Sequence, residues 1–336
     1  MSMRRYGFNL QWMFWKEPGV KPAPVDERVL DAIASWGFEF VRMPCDYRFW
    51  TDGLDYANPD ERVLEVLDTY LEACRERGLH LSLNLHRAPG YVITGWESEH
   101  HNLWADRAAQ DGFSAIWTGF ARRYRGVPAD ELSFDLVNEP PSVGERGFTR
   151  AAHEAVIRRV VAEIRQADPD RPIVIDGLGG GHLAMPELAD LGVVHSTRGY
   201  QPMSVSHYRA EWWPGSQGLG EPAYPCDYEG RHWDRAGLRD FYAPWRAVAD
   251  EGVPVHVGEF GCYEHTPNDV ALRWLSDVLG VFASFGWGYA LWQFEGPFGV
   301  IGHRRPGGRF EQLDGFPVDR DLLELLQAHR VSPSGR

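Results

Sequence analysis

Short runs of β-forming residues alternate with stretches of helical periodicity along this chain, and few folds accept that pattern. The strand-like runs are Tyr6–Leu10, Phe38–Arg42, Leu79–Leu85, Leu132–Val137, Ile173–Ile175, Val205–Tyr208, Val255–Val257 and Gly288–Trp292. Helical periodicity fills the gaps at Asp26–Trp36, Pro59–Arg77, Asp106–Arg125, Thr149–Ala167, Trp233–Asp250 and Asn268–Phe285. A weak segment lies near Ala184–Ala189, and a last helix covers Arg320–His329. Such alternation implies crossover connections and a parallel sheet. Eight repeats in 336 residues predict a single (β/α)8 barrel of the TIM type over residues 1–330, with residues 331–336 as a disordered tail.

An open doubly wound sheet is the competing α/β arrangement, and Asp176-Gly177-Leu178-Gly179-Gly180-Gly181 is glycine-rich after a strand. It lacks the spaced G-x-G-x-x-G that turns directly into a helix, with an acidic residue further on, as dinucleotide binding requires. A loop where backbone approaches backbone is the better reading. The formal charge of −14 argues against nucleic acid and anionic membranes, both of which call for clustered Lys and Arg. No apolar stretch is long enough to span a bilayer, and Met1 to Tyr6 run into the first strand without an apolar leader. Cys45, Cys74, Cys226 and Cys262 are scattered, without paired spacing, and read as free buried thiols. These features predict a cytoplasmic protein; a leader trimmed from the chain would make it secreted.

Chemistry in such a barrel collects at the C-terminal ends of the strands, and polar residues fall at the predicted ends. Arg42 ends the second, His86 follows the third, Asn138 and Glu139 follow the fourth, His207 and Tyr208 close the sixth, Glu259 follows the seventh, and Trp292 closes the eighth. Each alone has an ordinary explanation: a structural ion pair for Arg42, a loop cap for His86, packing for Trp292. Six ends agreeing is harder to dismiss. Leu132–Val137 delivers Glu139 and is stopped by Pro140 and Pro141, which cannot donate to a ladder. Val255–Val257 carries a second lone carboxylate, Glu259, in the same way. Two carboxylates so presented are the minimum apparatus for breaking a glycosidic bond.

The motifs Val41-Arg42-Met43-Pro44, His86-Arg87-Ala88-Pro89-Gly90, Asn138-Glu139-Pro140, His207-Tyr208, Gly258-Glu259-Phe260-Gly261 and Ala290-Leu291-Trp292 span nearly the whole predicted barrel. In kind and order the chain resembles glycoside hydrolase family 5, the retaining β-glycosidases that include many endoglucanases and β-mannanases. The resemblance implies Glu139 as general acid/base and Glu259 as nucleophile. It also implies Arg42 and Tyr208 holding Glu259 as an anion, Asn138 on the sugar 2-OH, His86 and His207 orienting the reacting groups, and Trp292 as the floor of the reacting-sugar subsite. A retaining mechanism predicts carboxyl groups about 5 to 5.5 Å apart and needs neither metal nor cofactor.

Sugar rings pack C–H faces on aromatic planes, so loop tryptophans are candidate platforms. Trp12, Trp15, Trp50, Trp96, Trp104, Trp212 and Trp213 qualify, with Trp212 and Trp213 the most suggestive because the loop from Arg209 to His232 is long and follows His207-Tyr208. Trp117, Trp245 and Trp274 fall in helical patterns and are expected in the core. The thirteen histidines, His100-His101 among them, raise a metal-dependent barrel hydrolase as a rival, but the first strand ends in Asn9 without the H-x-H such a site would want. An inactive sugar-binding barrel is a further alternative. The reading adopted is hydrolysis of β-1,4-linked glucans or oligosaccharides, endoglucanase-like, with an exo-acting β-glucosidase or β-mannosidase as runner-up.

Overall fold

The computed structural model describes residues 5–330; the predicted tail at 331–336 lies outside them. Eight parallel strands close on themselves: β1 (Tyr6–Asn9), β2 (Phe40–Asp46), β3 (His80–Ala88), β4 (Leu132–Asp135), β5 (Ile173–Asp176), β6 (Val194–Gly199), β7 (Val255–Phe260) and β8 (Gly288–Leu291). Hydrogen bonding runs in sequence order, and β8 pairs with β1 to shut the barrel. The expected (β/α)8 architecture is therefore present.

The helices begin where side-chain acceptors can serve their orphan amides. Asp26, Asp60, Thr149, Asp234 and Asp319 each accept a backbone N–H of the first turn they cap. The main core lies between the strands and these helices, and Trp117, Trp245 and Trp274 are buried in it as expected. Inside the barrel a smaller apolar plug of Phe40, Val174, Val194 and Ala290 closes the bottom, leaving the polar residues to the top.

Three elements differ from the sequence expectation. The sixth strand is Val194–Gly199, not Val205–Tyr208; residues Met203–Ser206 form a single helical turn instead. The true strand starts after Gly192, whose left-handed backbone ends the preceding 3-10 turn, and its polar run His195-Ser196-Thr197-Arg198 hides it from a hydrophobicity reading. The helix expected over Trp233–Asp250 is two, Arg235–Phe241 and Ala243–Asp250, with Pro244 in the first turn of the second, where its missing N–H is harmless. Finally, β2 continues past Arg42 to Asp46. Pro44 is accommodated because β1 has already ended opposite Arg42; beyond it β3 pairs on one side, and on the other a single bridge joins Met13 to Cys45.

Candidate functional site

The backbone at Glu139 is in the left-handed region, φ +47°, which a residue with a Cβ adopts only when its surroundings enforce it. They do so from both sides. The Glu139 N–H donates to Asp176 Oδ2 at 3.0 Å, and Tyr91 donates its hydroxyl to the Glu139 carbonyl. Pro140 and Pro141 follow, and their carbonyls accept from the amides of Gly180 and Gly179. The result is a turn held between β4, β5 and the glycine loop, with 14% of the Glu139 side chain left exposed.

Glu259 is aimed by a different device. The ladder between β7 and both its neighbours slips in register around Gly258, a bulge that turns the following side chain into the barrel mouth. A Cβ at Gly258 would stand 2.5 Å from Ser196 Oγ and 2.8 Å from Arg198 Nη1, so only glycine fits. Glu259 then lies directly across the ladder from Arg198.

Two buried guanidiniums organise the floor. Arg42 donates to Asp135 at 2.6 Å, Asn9 at 3.0 Å, Glu259 at 2.5 Å and Asn138 at 2.9 Å. Arg198 donates to Glu139 Oε1 at 2.8 Å, Asn138 Oδ1 at 2.9 Å and both oxygens of Asp176, and its Nη2 lies 3.4 Å from Glu259 Oε1. Tyr200 completes the shell of Glu259 with its hydroxyl 3.0 Å from Oε2. Four carboxyl groups thus share two guanidiniums. Burial, then the charge of Glu259, pushes the Glu139 carboxyl up. Burial, then Asp176, pushes Asp135 up as well. Against the cost of burial, Arg198 and Arg42 hold Asp176 below the usual carboxylate range. The arrangement favours a proton on Glu139 and on Asp135.

Above this floor opens a pocket of about 720 Å³ that both Glu139 and Glu259 line. One wall is aromatic. Trp292 stacks on His86 with centroids 5.6 Å apart and planes 18° from parallel, and Phe14 meets both edge-on. Burial, then Arg42 and Arg198, holds His86 well below its ordinary pKa, so it is a neutral imidazole. The lining also includes Trp212, Trp213 and Phe298, with His207 in edge contact with all three. A second concavity of about 830 Å³, at the C-terminal ends of helices Arg107–Arg123 and Arg150–Ala167, is lined by Arg122, Arg125 and Glu163 and by none of the strand-end residues named above.

The structure thus brings together Glu139, Glu259, Arg42, Asn138, His86, His207, Trp292, Trp212 and Trp213. Tyr208 is the exception. It is buried with the Arg209 guanidinium 5.0 Å from its ring, and the hydroxyl that reaches Glu259 belongs to Tyr200. The sixth strand ends at Gly199, ahead of the His207-Tyr208 motif, so Tyr200 rather than Tyr208 stands at its end. Arg198, Tyr200, Asp176 and Asp135 were all missed. The available signal was Val193-Val194 followed by Thr197, β-branched residues after a glycine, ending in Arg198-Gly199-Tyr200.

Among the loop tryptophans only Trp15, Trp212 and Trp213 line the pocket. Trp12 packs on Tyr70, Trp50 on Phe120, and Trp96 and Trp104 on Tyr91. The loop from Arg209 to His232 is not structureless, since Cys226–Tyr228 and Arg231–Trp233 pair as a small hairpin. Cys45, Cys74 and Cys262 are buried and Cys226 is half-buried, all four as free thiols. Among the described residues no group of three or more His, Cys, Asp or Glu is arranged to hold a metal ion, and no helix is long and apolar enough to cross a membrane.

The sequence matches the family described as cellulase (glycosyl hydrolase family 5) over residues 3–296. It is 27% identical to cellodextrinase A of Ruminococcus flavefaciens over 274 residues, 78% of this chain and 76% of the relative. It is 25% identical to endoglucanase C of Acetivibrio thermocellus over 335 residues, 91% of this chain and 92% of the relative. A crystal structure described as that of a glycoside hydrolase superposes with a TM-score of 0.97 at 56% identity, covering 98% of this chain and 100% of that one.

Proposed function

This chain belongs to glycosyl hydrolase family 5 and is a glycoside hydrolase, and from that premise we propose that it cleaves β-1,4-linked glucans or their oligosaccharides by double displacement, with Glu139 as acid/base and Glu259 as nucleophile. The observation that carries the assignment is the opposed surroundings of the two carboxyl groups in one pocket. Glu259 accepts from Arg42 and Tyr200, donors matched to an anion, while burial and the neighbouring carboxylate favour the protonated form of Glu139.

In the first step a Glu259 oxygen bonds to the anomeric carbon as the glycosidic C–O bond breaks, and the departing oxygen takes the Glu139 proton. Water then attacks the anomeric carbon, gives a proton to Glu139 and releases Glu259 as a carboxylate. The Arg198 guanidinium reaching both glutamates supports a close pair, as retention requires. Asn138 Nδ2 and His86 Nδ1 are buried without a partner among the described residues, which suits donors or acceptors reserved for sugar hydroxyls. Trp292, Trp15, Trp212 and Trp213 supply apolar faces around the pocket.

A second reading, exo-action on short oligosaccharides, is favoured by the bulky rim of Trp212, Trp213, Pro297 and Phe298 around a pocket of limited volume. The name of the Ruminococcus relative points the same way. A time course of product lengths on cello- and manno-oligosaccharides separates the two. Early release of mixed internal fragments from the gluco series supports the endo reading. Stepwise loss of one sugar supports the exo reading, and no hydrolysis of either series overturns both.

A further inference from the structure

Arg198 is the guanidinium that touches both glutamates, and the fold makes room for it at two places. A Cβ at Gly181, where φ is +83°, would lie 2.4 Å from Arg198 Cγ, and one at Gly258 would lie 2.8 Å from Nη1. Tyr242 donates to the Arg198 carbonyl at 2.8 Å, fixing the backbone. The side chain is fully buried. Its Nε donates to Glu139 and its Nη2 approaches Glu259, while Asp176 holds the far edge of the fork and also accepts the Glu139 N–H. Arg42, by contrast, bonds Glu259 but makes no hydrogen bond to Glu139.

We propose that Arg198 is a positioning residue that switches Glu139 from acid to base, because its charge is shared among the Asp176, Glu259 and Glu139 carboxyl groups in the free enzyme and between Asp176 and Glu139 alone once Glu259 is esterified. The inference rests on the acid/base and nucleophile assignment above. In the free enzyme Glu259 repels a second negative charge at Glu139 and draws on the same cation. Formation of the glycosyl ester removes that anion, as the Glu139 proton leaves with the departing oxygen. The guanidinium then faces the new Glu139 carboxylate with Asp176 as its remaining anionic partner, and Glu139 waits as a base for the proton of the incoming water.

The titratable and charged groups around Glu139 are Glu259 from β7, Arg198 from β6, Tyr200 just beyond it, Asp176 from β5 and Tyr91 from the β3 loop. Glu145, in the turn after Pro141, acts on Tyr91. Burial and the Arg198 charge keep His182 of the glycine loop neutral, with its pKa down to about 4, and His86 is neutral too. Arg198 is therefore the cation in direct contact with Glu139 among the described residues.

The test isolates the second step. An activated 2-fluoro-β-glycoside traps the glycosyl-enzyme, excess reagent is removed, and recovery of activity is followed against pH. In Arg198→Gln the pH at which recovery reaches half its plateau is expected to rise by about one to three units, the span by which an adjacent opposite charge moves a carboxyl group. Arg198→Lys is expected to restore part of that shift. Asp176→Asn, which frees the guanidinium and removes a repelling charge, is expected to move the same midpoint downward, and it remains readable if the Gln variant does not fold. A lower plateau with an unmoved midpoint in the Arg198 and Asp176 variants overturns the proposal. Glu139→Ala keeps the underlying assignment separate: no acceleration of its turnover by azide defeats the acid/base reading itself, whereas azide rescue with unmoved midpoints defeats only the role of Arg198.

Discussion

Two buried charge clusters in this barrel have opposite bookkeeping. Beneath the pocket, Arg42 and Arg198 serve four carboxyl groups, Asp135, Asp176, Glu139 and Glu259, and Asp135 Oδ1 has no hydrogen-bond partner among the described residues. Beyond β8, Arg305 donates to Asn268 at 2.8 Å and to the Cys262 carbonyl at 2.9 Å and faces the single carboxylate of Asp319 at 3.5 Å. His303 bonds that carboxylate at 2.8 Å, and its other oxygen caps the helix Arg320–Ala328 through the Leu322 N–H. The second cluster is balanced and satisfied, and ties the chain after β8 to the end of β7. The first carries a surplus of acid that must be met with protons, one of them on Glu139, the proposed acid/base. Buried charge in balance holds a fold together; buried charge out of balance is poised for chemistry.

The largest expected effect breaks the unbalanced cluster. Glu259→Gln should lower turnover of an activated aryl glycoside on the order of 10⁴-fold or more while the melting temperature stays near the parent's. Substantial residual turnover would remove Glu259 as nucleophile. Next, Arg305→Met should cost about 3–5 kcal/mol of stability, because Asp319 is left buried beside an imidazole alone, yet turnover per folded molecule should hold. Denaturant unfolding with active-site titration checks both halves, and a loss of turnover without a loss of stability would reverse the distinction between the clusters.

A subtler change sharpens it. Asp135 has its folded pKa raised, so the native state binds a proton that the unfolded chain has released above the ordinary carboxyl value of about 4. The associated stability is present below that value and is lost as pH rises through the folded pKa. Asp135→Asn keeps an acceptor for Arg42 and removes the titration, so its stability relative to the parent should improve from pH 5 to pH 8, on the order of 1–3 kcal/mol. A difference that is flat across this range would place no surplus proton on Asp135. The smallest effect lies outside both clusters. Trp212, 48% exposed at the pocket rim, is expected to contribute about 1 kcal/mol of stacking, so Trp212→Ala should raise KM for oligosaccharides about fivefold and leave kcat on a short aryl glycoside unchanged. An unchanged KM on every chain length would take Trp212 out of the binding surface.

The alternation of strand and helix, and the placement of Glu139 and Glu259 after short apolar runs, were legible in the sequence because they depend on local properties: β-propensity, helical period and prolines that end a strand. Strands with polar interiors were not. Val194–Gly199 faces the barrel with Ser196 and Arg198, so its pattern does not alternate apolar with polar, and a His-Tyr pair further on took its place. The loop tryptophans were equally opaque, since Trp50 in the core and Trp212 at the rim both fall in predicted strand-end loops and differ in what packs on them.

The sequence by itself determined the barrel and the two carboxylates its strands deliver. Only the tertiary structure decided which cations and hydroxyls meet them. Arg198 reaches Glu139, Asp176 and Glu259 across 59, 22 and 61 residues of chain, and Arg42 reaches Glu259 across 217. Those meetings are set by barrel closure, by ladder register and by the bulge at Gly258. A one-residue change of register would turn each side chain to the other face, so each meeting depends on the whole closed sheet.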